Sequence, residues 1–307
     1  MKNENKKTVI AIVGPTASGK TALSIEIAKA LETEIISADS RQIYKEFDIA
    51  TAKPSVKERQ GIKHHMIDVV EPTEEFSVAD FSDCAKKIME ALFSQGKIPV
   101  VAGGTGLYFR ILLENYEMPR VAPNKELREE LHRIEREQGV DVLYEMLKEL
   151  DPVLAQKMHP NNTVKIIRAL EVCKTLDIPM SQAQKVKQTP QYNVLWFGLG
   201  HLNGQDRQAL YDKIDRRVDM MIEQGLEKEA KSLYEKYGKI PSLLNTIGYQ
   251  EFIEYFDGNV SFDTAVEKIK QNTRRYAKRQ LTWFRRNTQI HWLDIGKCSA
   301  EDILEKL

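Results

Sequence analysis

Residues 14–21 read GPTASGKT, and the segments on either side fix what the loop between them does. The run Thr8-Val-Ile-Ala-Ile-Val13 is short, apolar and β-branched, the composition of a buried strand. The run from Ala22 to Leu31 has helical spacing. A strand, a glycine loop and a helix N-terminus together make an anion site, because successive N–H groups and the positive end of the helix dipole point at phosphate oxygens. On this reading Gly14, Pro15, Thr16, Ala17, Ser18 and Gly19 form a phosphate-binding loop (P-loop). Lys20 adds a point charge, and the Thr21 hydroxyl is placed to hold Mg²⁺. Such a loop recognises phosphates and not the group attached to them, so the loop alone does not distinguish ATP from another polyphosphate.

At 307 residues, 42% hydrophobic and 29% charged, the chain has ample material for a core and the balance of a soluble globular protein. Cys84, Cys173 and Cys298 are far apart and form no CxxC, which argues against a disulfide framework or a zinc site and for a reducing cytoplasm. The opening Met1–Lys7 is polar, the apolar run after it is too short for a signal peptide, and no stretch reaches membrane-spanning length.

Short strand patterns alternate with helical ones through the first third of the chain. A second strand is predicted at Glu34–Ser37, ending in Ala-Asp-Ser-Arg-Gln42, and a third at His65–Val70. A helix follows that Ser77 caps and that runs to about Phe93. The strand Ile98–Ala102 then leads into Gly103-Gly-Thr-Gly106. This alternation predicts an α/β core with a mostly parallel sheet and ligands at the C-terminal ends of its strands, where GPTASGKT, SADSRQ and GGTG all fall. From about Pro119 the texture turns helical, over 124–138, 140–150, 152–158 and 163–176, and strand character returns at Tyr192–Leu199. The expected organisation is a core of residues 1–118 and 191–307 interrupted by an all-helical insertion, 119–190.

Net charge is zero, yet the charges are segregated. No Asp or Glu occurs from Lys268 to Leu293, a segment with eight basic residues. As a helix it aligns Arg274, Lys278 and Arg285 on one stripe and Arg275, Arg279 and Arg286 on the next, with Tyr276, Trp283 and Phe284 interleaved. This pattern fits an electrostatic footprint for nucleic-acid phosphates and equally a solvated basic helix with its aromatics in the core.

Several motifs in order carry a family resemblance: GPTASGKT, ISADSRQIYKEFDIATAKP (36–54), HHMIDVVEP (64–72), PVVAGGTGLY (99–108), IIRALEV (166–172), IDRRVDMMIEQGL (214–226), TIGYQEF (246–252) and TRRYAKRQLTWFRR (273–286). With these spacings the chain resembles the bacterial tRNA dimethylallyltransferases along nearly its whole length. The resemblance implies transfer of a dimethylallyl group from dimethylallyl diphosphate to the exocyclic amine of the adenosine 3′ of the anticodon, in tRNAs reading U-initial codons. The partners it implies are that diphosphate and the tRNA anticodon stem-loop, with Mg²⁺ as cofactor and neither zinc nor a membrane.

The same resemblance assigns roles. Asp39 is the general base that takes the amine proton, with Mg²⁺ coordination the competing role for a strand-end carboxylate. Thr105 donates a hydrogen bond to the bridging oxygen of the leaving group. Arg217 is a second cation for the diphosphate, a structural salt bridge being the alternative. Gln42 has the amide for bidentate recognition of adenine, and Ser40 and Arg41 are tRNA contacts alongside Asp39. The basic segment, through Arg274, Arg275, Lys278 and Arg279, and the insertion, through Lys165 and Arg168, grip the anticodon arm. Two positions depart from the family: Val164-Lys165 replaces the common Gln-Arg, losing a bidentate arginine contact, and Ala50 stands where glycine is usual. His64 and His65 read as structural, and Asp68 as a possible metal-associated carboxylate. A nucleotide kinase would share loop and sheet but has no use for a long acid-free basic segment. An RNA-binding switch protein would not need Asp39 and Thr105 on one strand-end face.

Overall fold

Thr8–Val13 forms strand β1, and its side chains alternate between two cores: Val9, Ala11 and Val13 enter one, Ile10 and Ile12 the other. A strand apolar on both faces has to be central, and β1 is. The computed structural model describes residues 6–114, 116–186, 191–200, 207–294 and 299–307. After β1 come α1 (Lys20–Ala30), β2 (Ile35–Ala38), β3 (His64–His65), α2 (Val78–Ser94), β4 (Val100–Gly103) and α3 (Gly106–Leu113). Next are β5 (Tyr116–Glu117), α4 (Lys125–Gln138), α5 (Val140–Leu150), α6 (Pro152–Ala155), α7 (Thr163–Leu176), α8 (Met180–Ala183) and β6 (Lys185–Val186). The chain closes with β7 (Asn193–Gly200), α9 (Arg207–Glu223), α10 (Leu226–Tyr237), α11 (Pro241–Leu244), α12 (Tyr249–Phe256), α13 (Phe262–Phe284), β8 (His291–Asp294) and α14 (Glu301–Leu304).

The main sheet has the order β3-β2-β4-β1-β7-β8, and all of its described pairings are parallel. Val13 is level with Gly103 and Gly198, and Ala38 with Gly103. The loops leaving β1, β2 and β4 therefore start side by side. Helices α2 and α3 cover one face, where Phe81 and Phe109 are fully buried, and α1 covers the other through Leu23 and Ile27. Burial of each such side chain contributes about 1.5–3 kcal/mol. The third strand differs from expectation. Only His64–His65 pairs with β2, because Met66 (φ 62°) and Asp68 (φ 56°) turn through the left-handed region, and Val70 returns to bridge Tyr44 alone. Helix α2 starts at Ser77, whose hydroxyl accepts from the Asp80 N–H while Asp80 reaches back to the Ser77 N–H.

Two compact units divide the chain, one of residues up to Leu113 and from Gln191 on, the other Glu114–Pro190. The second unit packs α4, α5 and α7 around Leu131, Leu143, Leu147, Ile166 and Leu170. It is not all-helical: β5 and β6 pair antiparallel, Tyr116 opposite Val186. Two-residue strands carry no legible period, which is why the sequence pattern missed them. Glu171 is fully buried here and accepts from Arg128 at 2.9 and 3.0 Å, from the Asn124 N–H at 2.7 Å and from Arg168. Burial alone would raise its pKa; these donors outweigh it and hold the carboxyl below its ordinary value.

Among the described residues no helix is long and apolar enough to cross a membrane. Cys84 and Cys173 are free thiols, and Cys298 lies outside the described residues. A methyl at Gly103 would stand 2.2 Å from the Ala38 carbonyl oxygen and 2.5 Å from its carbonyl carbon, main-chain atoms with no flexible side chain to give way. Gly103→Ala is expected to cost about 1–3 kcal/mol or more as overpacking, read as a lower urea midpoint at an unchanged slope.

Candidate active site

The glycine-rich loop is shaped by two demands on its backbone. Gly14 takes φ 151°, and a methyl there would meet the Leu199 carbonyl oxygen at 2.7 Å. Gly19 caps α1 at φ 88° without a side-chain cap, so the first-turn N–H groups of α1 stay available to a ligand. Lys20 folds back over the loop, its Nζ donating to the Pro15 carbonyl at 2.5 Å and to Ser18 Oγ at 3.4 Å. Burial foremost, and then the nearby Arg217 guanidinium, lower its pKa to about 7, with Asp39 pulling the other way. Arg217, on α9, is also lowered by burial, offset by Asp39 and Glu58. No hydrogen bond or ion pair engages Arg217 among the described residues, so the salt-bridge reading of this side chain does not hold.

Beyond β2 the chain turns on Asp39, whose Oδ1 accepts from the Arg41 N–H at 2.8 Å and the Gln42 N–H at 3.4 Å. Oδ2 has no hydrogen bond among the described residues. The Ser40 N–H donates to Thr105 Oγ1 at 3.0 Å, and the Thr105 N–H to the Ala38 carbonyl at 3.1 Å, so the SADSRQ and GGTG loops are stitched together. The Gln42 amide is already engaged. Its Oε1 accepts from Ser37 Oγ at 3.1 Å, and its Nε2 donates to the carbonyls of Thr51 and Ala52 at 3.2 and 3.3 Å. Reading an adenine edge with this side chain would require breaking those bonds.

A cavity of about 700 Å³ opens at these loops. Its wall includes Thr16, Ala17, Ser18, Gly19, Lys20 and Thr21 on one side, and Asp39, Ser40, Arg41, Gln42 and Arg217 on the others. Gly14 and Pro15 shape the loop from behind, and Thr105 stands one hydrogen bond behind Ser40. Of the basic residues on α13, only Arg279 reaches the wall, its guanidinium 5.7 Å from the Tyr276 ring centre. Arg275 and Lys278 are exposed. Arg274 instead donates to both oxygens of Asp215 at 2.5 and 2.6 Å, an ion pair between distant parts of the sequence. Lys165 is exposed and Arg168 is bound to Glu171 and the Val121 carbonyl, both in the second unit.

Two wall residues escaped the sequence reading as site residues. Tyr276 lies half-buried on the cavity, its phenol pushed up to about 12 by burial first and by Asp39 second. Gln280, one helical turn on, also lines it. The available signal was their helical spacing with Trp283, which places an aromatic, an amide and an aromatic on one face of an otherwise basic helix. His65 Nε2 bonds Glu34 at 2.5 Å, whereas His64, whose Nδ1 bonds the Ile62 carbonyl at 2.9 Å, lines the cavity and leaves its buried Nε2 without a hydrogen-bond partner among the described residues. Asp68 is paired with Lys53 at 2.5 Å, and the described residues contain no cluster of three His, Cys, Asp or Glu able to hold a metal.

An α/β enzyme acting on an anionic substrate is the class that such a cavity defines. The model of the IPP transferase family matches residues 42–287. The chain is 46% identical over 301 residues to the tRNA dimethylallyltransferase of Acetivibrio thermocellus, covering 97% of this chain and 95% of that protein. It is 44% identical over 294 residues to the Bacillus subtilis protein of the same name, covering 95% and 92%. Among solved structures, the tRNA isopentenylpyrophosphate transferase of Bacillus halodurans matches with a TM-score of 0.71 at 40% identity, over 98% of this chain and 94% of that one. A eukaryotic dimethylallyltransferase acting on tRNA matches with a TM-score of 0.76 at 31% identity, over 95% and 74%. The chain belongs to the IPP transferase family.

Because Arg217 makes no hydrogen bond or ion pair among the described residues, replacing it should affect ligand more than fold. Arg217→Met is expected to weaken binding of inorganic diphosphate by about 1.5–3 kcal/mol, the range for a hydrogen bond to a charged group. Titration calorimetry measures this, and the thermal midpoint of the free protein should not fall.

Proposed function

We propose that this protein is a tRNA dimethylallyltransferase, joining the dimethylallyl group of its diphosphate to the exocyclic amine of the adenosine 3′ of the anticodon in tRNAs reading U-initial codons. The observation that carries this reading is the convergence of Lys20, Arg217 and Asp39 on a single cavity at the strand ends. The P-loop and Lys20 bind the diphosphate, with Arg217 as the second cation. As the carbon–oxygen bond breaks, negative charge grows on the departing diphosphate, and donors already in place stabilise it there. Thr105 acts at the bridging oxygen, held by the Ser40 N–H. The amine nitrogen forms the new carbon–nitrogen bond and gives up one proton. Asp39 accepts it through Oδ2, while Oδ1 stays fixed by the Arg41 and Gln42 N–H groups. No ATP enters this balance.

Mg²⁺ fits the donor set. The Thr21 hydroxyl is exposed on the cavity wall without an accompanying carboxylate cluster, which suits an ion that keeps its waters and takes most of its remaining ligands from substrate phosphates. When bound it would neutralise diphosphate charge. Arg275, Lys278 and Arg279 on α13, and Lys165 in the insertion, are the exposed cations for tRNA phosphates. An anticodon-loop base can be splayed out into the cavity more cheaply than a paired one. A cytoplasmic setting follows from the tRNA substrate.

The test is transfer of labelled dimethylallyl to unmodified tRNA with Mg²⁺ and without ATP. Label should enter the anticodon loop, and chelating the metal should suppress it. Asp39→Asn should lower kcat by about 10²–10⁴-fold, the range for general-base catalysis, while tRNA binding persists. ATP consumption with a nucleotide acceptor, and no label in tRNA, would instead establish a kinase. The double variant Arg275→Ala/Lys278→Ala should reduce the salt dependence of tRNA affinity, lowering the log–log slope by about one to two.

A further inference from the structure

The catalytic reading draws on loops leaving β1, β2 and β4, yet no backbone hydrogen bond joins residues 14–19 to residues 104–106. What joins them is a side chain from α13. Gln280 is 6% exposed. Its Oε1 accepts from the Thr16 N–H at 2.9 Å and its Nε2 donates to the Gly104 carbonyl at 3.1 Å. Thr16 belongs to the glycine-rich loop and Gly104 immediately precedes Thr105, so one amide spans both. The Thr16 N–H therefore points at Gln280, leaving diphosphate to the later N–H groups of the loop.

The fit around this amide is close. A methyl on Gly104 would stand 2.1 Å from Gln280 Nε2, and a methyl on Gly106 would stand 2.1 Å from Trp283 Cδ1. The turn carrying Thr105 is thus pressed against α13 at Gly104 and Gly106. A primary amide has one acceptor and one donor end at fixed separation, and here each end has one partner on a different loop.

We propose that Gln280 is a positioning residue for the transfer reaction: it sets the distance between the loop that holds the diphosphate and the loop that carries Thr105. The inference rests on the transferase reading given above. Gln280 touches neither reacting atom; it holds the leaving group and the Asp39–Thr105 pair at the separation that the reaction needs. The same helix exposes Arg275, Lys278 and Arg279, so the RNA-facing cations and the clasp on both loops share one rigid element.

Two variants of the full chain separate this role from mere packing. Gln280→Glu keeps the size and the acceptor for Thr16 but sets an oxygen against the Gly104 carbonyl. Gln280→Met keeps the length and removes both bonds. Rates are taken with labelled dimethylallyl diphosphate and unmodified tRNA, and each is divided by the folded fraction from thermal melting. Both variants are expected to lose about tenfold to a hundredfold in kcat, with KM for either substrate changed by less than about threefold, the signature of lost alignment and not lost binding. A Gln280→Met protein with wild-type kcat per folded molecule, or one whose loss appears only in KM, would overturn the proposal. A wild-type protein that transfers no label would remove the transferase reading, and this inference with it.

Discussion

Backbone meets backbone where β2 and β4 end, and the rest of the site is arranged around that contact. Ala38 and Gly103 lie in register with no room for a side chain at the glycine. Just beyond, the Thr105 N–H takes the Ala38 carbonyl and Thr105 Oγ1 takes the Ser40 N–H. A wider spacing would break both bonds and release the turn that displays Asp39. Because β4 also pairs with β1, the glycine-rich loop emerges on the other side of the same strand. The position of the cavity is thus a consequence of strand order, with ligand groups collected at the carboxyl ends of a parallel sheet.

The electrostatics of that position favour an occupied cavity. Burial lowers the pKa of both Lys20 and Arg217, the Arg217 guanidinium lowers that of Lys20 further, and Asp39, with Glu58 at Arg217, compensates only in part. A bound polyanion would relieve the repulsion that the free protein carries. Thr105 and Asp39 need no long-range field to stay in place, since short hydrogen bonds to neighbouring main chain orient them. Binding charge and orienting chemistry therefore fall to different kinds of interaction, long-range for the cations and local for the carboxylate and hydroxyl.

Local features were legible in the sequence. The glycine loop, the apolar strands and the Ser77 cap each announce themselves within a few residues, and the structure has them at or within about two residues of the expected positions, the uncertainty usual for element ends. Where the signal depended on distant partners it faded. His65–Val70 reads as a strand by composition, but left-handed turns at Met66 and Asp68 break it, a backbone choice no hydropathy pattern reveals. The arrangement of the basic segment fits both readings offered for it. Phe284 is buried and Trp283 packs on the core, whereas Arg275, Lys278 and Arg279 remain exposed. Arg274 meets Asp215, and Arg168 meets Glu171, a partner three residues along its own helix. Gln280 was the least legible of all, since an amide in a basic helix reads as solvated until two loops from far upstream are seen to close on it.

The short ribbon of β5 and β6 carries a topological consequence. Residues near the two ends of the second unit, Tyr116 and Val186, are hydrogen-bonded neighbours. The excursion between them contributes no strand to the main sheet. To the sheet, about seventy residues are topologically equivalent to a hairpin turn, and closing a longer loop costs only slightly more entropy than closing a shorter one. The length of this segment can therefore change without disturbing the register that builds the cavity.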